Sequence, residues 1–102
     1  MSKVEDIIHD LKRRKASVAC EGKNGLRMYL QDLGFIDIPG KTDGHRIFTH
    51  PKLSAHSNFI SFSIDCGHRP RREMKTPYVV KTVKVLQSYQ DLLEKLEGEG
   101  YA

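Results

Sequence analysis

A chain of 102 residues is the size of one domain, and 17 Lys and Arg against 13 Asp and Glu leave it a net charge of +4. No apolar run approaches the roughly 18–20 residues that cross a bilayer, the first residues lack the apolar stretch of a secretory signal, and two cysteines are too few for a disulfide framework. A membrane protein, a disulfide scaffold and a large two-domain cofactor enzyme are thereby excluded, and a small basic cytoplasmic domain with Cys20 and Cys66 as free thiols is expected.

Ser2-x-x-Glu5 reads as a capping box, and Val4, Ile7, Ile8 and Leu11 recur at helical spacing, predicting a helix over 3–15. Gly22, Asn24 and Gly25 punctuate a break. A second helix is expected from about 21 to 33, with Leu26, Tyr29, Leu30 and Leu33 facing inward and Gly34 just past its end. Phe35 to Ile38 is a short strand, Pro39 to Gly44 a hairpin loop, and His45 to His50 a second strand stopped by Pro51. Residues 51–57 are expected as loop. From Phe59 to Asp65 the chain alternates, which puts Ile60, Phe62 and Ile64 on one buried face and Ser61, Ser63 and Asp65 on a wet one. A basic loop follows at 66–72. Thr76 as a cap and Pro77 at the first helical position then start a helix that runs to about residue 97.

Two helices, three strands on short loops and a final helix predict an α+β domain: a three-stranded antiparallel sheet with helices packed on one face. The chain is read as a single domain over 1–102, with an N-terminal helical extension at 1–16, a core at 17–97 and a tail at 98–102.

The charge is uneven. Between residues 66 and 84, Arg69, Arg71, Arg72, Lys75, Lys81 and Lys84 face one acid, Glu73, whereas Asp91, Glu94, Glu97 and Glu99 near the end face only Lys95. A basic loop and helix start suit a polyanion, although lysines and arginines also simply solvate a surface. The run Lys12-Arg13-Arg14-Lys15 suits the negative end of a helix dipole equally well.

No phosphate-cradling loop, dinucleotide fingerprint or nucleophile elbow is present, so no cofactor is expected. His50, His56, Cys66 and His68 match no common zinc spacing, so no metal site is expected either. His45 differs in context, because it opens a strand after a glycine turn, beside Arg46. A histidine moves protons near neutral pH, and an arginine can hold a phosphate by paired hydrogen bonds. RNA carries its own nucleophile in the 2′-hydroxyl, so a positioned base can promote cleavage without metal. A strand histidine is ordinarily structural or solvent-facing, and the residues alone leave both readings open. His50 and His68 are lesser candidates for a supporting acid.

The stretches Leu33-Gly34-Phe35, Asp43-Gly44-His45-Arg46-Ile47-Phe48-Thr49-His50-Pro51 and Lys75-Thr76-Pro77-Tyr78-Val79 together resemble the HicA family, the small toxins of HicA–HicB toxin–antitoxin pairs. The resemblance spans roughly residues 18–93, with the three landmarks in order. It implies a fold like a double-stranded-RNA-binding domain, to which residues 3–15 add an extra N-terminal helix. It implies a metal-independent, ribosome-independent endoribonuclease acting on mRNA, with His45 matching the family's catalytic histidine. The implied partner is a HicB-like antitoxin that covers the site. Arg46, Arg69, Arg71, Arg72, Lys75, Lys81 and Lys84 are the candidate RNA contacts. One departure stands out: the family's Gly-Ser before the histidine is Asp43-Gly44 here. Either Asp43 orients His45, or the turn has lost its chemistry and the chain is an RNA-binding module that does not cut.

Overall fold

A computed structural model describes residues 2–67 and 72–98. Helix α1 (Lys3–Arg13) starts where Ser2 caps it, its hydroxyl accepting the Glu5 N–H at 3.1 Å. Val4, Ile7, Ile8 and Leu11 are all buried, which contributes roughly 1.5–3 kcal/mol of gross stabilisation each. Their partners are the two C-terminal helices, α4 (Thr76–Ser88) and α5 (Gln90–Gly98), onto which α1 packs. The Ser2 hydroxyl also donates to Glu94 (2.7 Å), and the Lys3 N–H donates to Glu97 (2.8 Å). The N-terminal helix is therefore part of the core.

Helix α2 (Leu26–Asp32) begins five residues later than its periodicity suggested. Asn24 and Gly22 both adopt positive φ, which holds 21–25 out of the helix. Gly34, at φ 91°, ends α2 as expected. The chain then forms β1 (Ile36–Pro39), β2 (His45–Thr49) and β3 (Phe62–Asp65), an antiparallel sheet in the order β1-β2-β3. Phe48 pairs with Asp37 on one side and with Phe62 on the other, and Arg46 pairs with Pro39 and Ile64. Phe48, Phe62 and Ile64 are buried, so this is the face the helices cover. Ile36, Ile38, His45, Ile47, Thr49, Ser63 and Asp65 lie on the opposite face, which among the described residues stays open. The fold is α+β, with a three-stranded antiparallel sheet and helices.

Four expectations are corrected. Residues 51–57 contain a helix, α3 (Pro51–His56), and are not simply loop. The final helix is broken at Tyr89, whose ring packs edge-on against Phe59 while its hydroxyl donates to Asn58 (2.8 Å). Ile60 precedes β3 and is 81 % exposed, so only Phe62 and Ile64 of that alternating stretch reach the core. Cys20 and Cys66 are joined in a disulfide with their Cα atoms 5.7 Å apart. Closing a loop over 46 residues of separation stabilises a chain by about 4 kcal/mol on the chain-entropy account.

His50 caps α3. Its Nδ1 accepts the Leu53 N–H (3.2 Å), which leaves the proton on Nε2 to donate to the Leu33 carbonyl (2.9 Å). The ring is buried and meets Phe35 edge-on. Burial holds its pKa below 6.5, so the folded state keeps it neutral while the unfolded chain takes up a proton first as pH falls. Its stabilisation is complete above about pH 6.5 and is lost progressively below it. Thermal unfolding from pH 7 to pH 5 should show a declining midpoint in the wild type. His50→Gln should be less stable throughout, by roughly 1–3 kcal/mol at pH 7, with a flatter pH dependence; an unchanged slope in the variant would contradict the assignment.

Candidate functional site

The β1–β2 hairpin presents His45 by its backbone. The His45 N–H donates to the Thr42 carbonyl (3.1 Å), and the His45 carbonyl accepts the Gly40 N–H (2.7 Å). The neighbouring Gly44 carbonyl accepts the Cys66 N–H (2.7 Å), tying the turn to the end of β3. Gly44 sits at φ +84°, and a Cβ there would stand 2.4 Å from the Gly67 carbonyl oxygen. No side chain fits that position without moving the 65–67 segment. A serine at position 44 would therefore be incompatible with this packing. The imidazole itself rests against Gly40, where a Cβ would come within 2.7 Å of the ring.

The His45 side chain points to the open face and is half-buried. Asp65 is its direct partner across β2 and β3. Sequence reading placed Asp65 on a wet strand face but did not connect it with His45, since only the register of β3 against β2 brings them together. One Asp65 oxygen accepts the Gly67 N–H (2.8 Å), which steadies the carboxylate beside the turn. Side chains so paired in an antiparallel sheet stand about 4.5–5.5 Å apart at Cβ.

Arg46 does not share this face. Alternation along β2 sends it to the covered side, where its Nε donates to Asp37 Oδ1 (2.7 Å). Asp37 Oδ2 accepts from Arg27 Nε (2.6 Å), and Arg27 also bonds Glu21 (2.7 Å). The Asp37 side chain is 3 % exposed, so its charge depends on both guanidiniums. One phosphate held jointly by His45 and Arg46 is not what this strand offers.

The remaining cations separate into groups. Arg72 and Lys75 line a cleft of about 690 Å³ together with Asp43, Asp65 and Tyr78, next to the His45 turn. Lys81 reaches the outer edge of β3 from α4 and donates to the Ser63 carbonyl (2.8 Å). Lys84 lines a different groove, between α1 and α4, with Lys12 and Lys15. Arg69, Arg71 and His68 lie outside the described residues. The 12–15 run is partly neutralised, because Asp10 accepts from Arg13, Arg14 and Tyr29. The Arg14 guanidinium, with help from Tyr29 and Arg13, holds the Asp10 carboxyl down to about 2 against the opposing effect of burial. Phe48 stacks on Phe62 in the core, and Tyr78 packs against the core's edge. Among the described residues, no group of three or more His, Cys, Asp and Glu converges as a metal site would, and no helix is long and apolar enough to cross a membrane.

Replacing Asp37 by Asn should leave two partly buried guanidiniums short of charge and cost roughly 1–3 kcal/mol in chemical denaturation. A loss under 0.5 kcal/mol would show that the network does not hold the sheet. Comparison of the chain with protein-family models, with curated proteins and with solved structures finds no match.

Proposed function

We propose that the chain is an RNA-cleaving toxin of the HicA kind, a metal-independent, ribosome-independent endoribonuclease in which His45 moves the proton. The observation that carries this reading is the placement of His45. Its backbone is fixed on both sides, its ring lies on the open sheet face, Asp65 stands opposite, and Arg72 and Lys75 line the adjoining cleft. Neutral His45 accepts the proton of a 2′-hydroxyl whose oxygen attacks the adjacent phosphorus. The bond to the 5′-oxygen breaks, and that oxygen takes a proton from water as it leaves, giving a cyclic 2′,3′-phosphate. Asp65, opposite His45 in register, is the charged neighbour that borders the reacting groups.

Arg72, Lys75 and Lys81 are the phosphate contacts this reading uses from the described residues, with Arg69 and Arg71 continuing the same basic stretch of sequence. Arg46 becomes a residue that positions β2 through Asp37, and Lys84 belongs to another groove. The sheet order β1-β2-β3 with helices over one face agrees with a fold like a double-stranded-RNA-binding domain, to which α1 is an addition. Ile36 and Ile38, 48 % and 39 % exposed, share the open face with His45. An apolar strip beside a polar centre suits a protein partner that covers it, as a HicB-like antitoxin would.

Two measurements test the reading. A labelled single-stranded RNA in EDTA should be cut by the wild type, and His45→Asn should slow cutting at least a hundredfold while changing stability by less than about 0.5 kcal/mol. RNA binding without cutting by the wild type would make the chain a binding module; intact RNA with no binding would remove RNA from the account. In a salt titration of RNA affinity, Lys75→Gln should reduce the slope of log affinity against log salt by about 0.7, whereas Lys84→Gln should leave it unchanged.

A further inference from the structure

We infer that the Cys20–Cys66 bond is a redox control on the His45 turn, holding it in place when formed and releasing it when reduced to two thiols. The functional consequence rests on the reading of His45 as the site. The turn's supporting half is the tripeptide Asp65-Cys66-Gly67. Asp65 faces His45 in register, the Cys66 N–H donates to the Gly44 carbonyl, and Gly67 packs against Gly44. Cys66 is the middle of that tripeptide and the end of the covalent link. At the other end, Cys20 lies in the segment between α1 and α2. That segment is fastened to the helical side of the molecule by the Arg14 bond to the Asn24 carbonyl (2.9 Å) and by the backbone bonds from Leu26 to Ala19 (2.9 Å) and from Arg27 to Cys20 (3.0 Å). The disulfide therefore transmits the position of a rigid segment to the strand end that carries the turn.

Access is one-sided. Cys20 is fully buried, but Cys66 is 8 % exposed and lines both the large cleft and a smaller one of about 160 Å³. In the smaller cleft Arg27 and Arg46 are matched by Glu21 and Asp43, and the attacking group is a small thiolate such as that of glutathione. Attack on Cys66 Sγ breaks the protein disulfide, forms a mixed disulfide at Cys66 and expels the Cys20 thiolate, which takes a proton. A second thiolate attacks the glutathione sulfur of the mixed disulfide and frees Cys66 as a thiol. Two electrons and two protons pass to the protein, and two glutathione molecules leave as glutathione disulfide.

Cys20 and Cys66 lie within the buried cluster, but the apolar stripes joining α1, α4 and α5 contain neither, so these three helices keep their own contacts when the bond opens. The test equilibrates the full chain in glutathione buffers of graded reducing strength. Trapping of free thiols and mass determination give the disulfide fraction. Amide spectra report Val4, Leu11, Val83 and Leu93 in the core and Gly44 and His45 in the turn, and RNA cleavage in EDTA is read at each poise. The expected result is a single two-electron transition in which the core signals stay put, the Gly44 and His45 signals shift or broaden, and cleavage falls at least tenfold and recovers on reoxidation. Cys20→Ser/Cys66→Ser should match the reduced chain. Unchanged turn signals on reduction, or collapse of the core signals with them, would overturn the proposal, the second outcome making the bond a structural staple. A turn that responds in a chain that never cuts RNA would uphold the redox control and remove the nuclease reading instead.

Discussion

A carboxylate closed between two guanidiniums decides how the sheet is presented. Asp37 lies on the covered face of β1, opposite Phe48, and accepts from Arg46 of the adjacent strand and from Arg27 of α2. A buried carboxylate without these partners would be strongly unfavourable. A slip of β1 by one residue would bury Ile36 and Ile38, which by apolar area alone looks advantageous, but it would strand both arginines. The ion network therefore keeps Ile36 and Ile38 facing outward and fixes Arg46 inward. Since side chains alternate along β2, Arg46 inward means His45 outward. The character of the open face follows from one acid on the other.

The same alternation separates two residues that adjacency in sequence suggested would act together. Arg46 serves the sheet, and the charged residue that faces His45 across the strands is Asp65, brought opposite by the pairing of β2 with β3. The turn is defined from three directions: by its own backbone bonds, by Cys66 at the Gly44 carbonyl, and by Gly67 against Gly44. Such a support is stiff, and it concentrates on a few residues of one strand end.

Local signals made much of the fold legible. The stripe Val4, Ile7, Ile8 and Leu11, the helix stop at Gly34, the hairpin at 39–44 and the α+β order with an antiparallel sheet follow from spacing and turn chemistry. What escaped depends on contacts far apart in the chain. Helix α3 has six residues and is capped by a histidine ring nitrogen, so neither periodicity nor the usual cap residues announce it. The break at Tyr89 comes from a ring that packs on Phe59 thirty residues earlier, and the pairing of Cys20 with Cys66 comes from a loop brought against a strand end. His45 stood out in sequence through its glycine turn, whereas the occupation of Arg46 by Asp37 and the approach of Asp65 are set by strand register.

On the proposed reading, RNA meets this protein on the open sheet face around His45. Chemical-shift mapping with a short single-stranded RNA tests it most directly, using the His45→Asn variant so that the strand stays intact. The account predicts perturbations at Ile47, Ser63, Asp65, Arg72 and Lys75, with Lys12, Lys15 and Lys84 unaffected. Perturbations confined to the groove between α1 and α4, or none at RNA concentrations that saturate a basic surface, would contradict it.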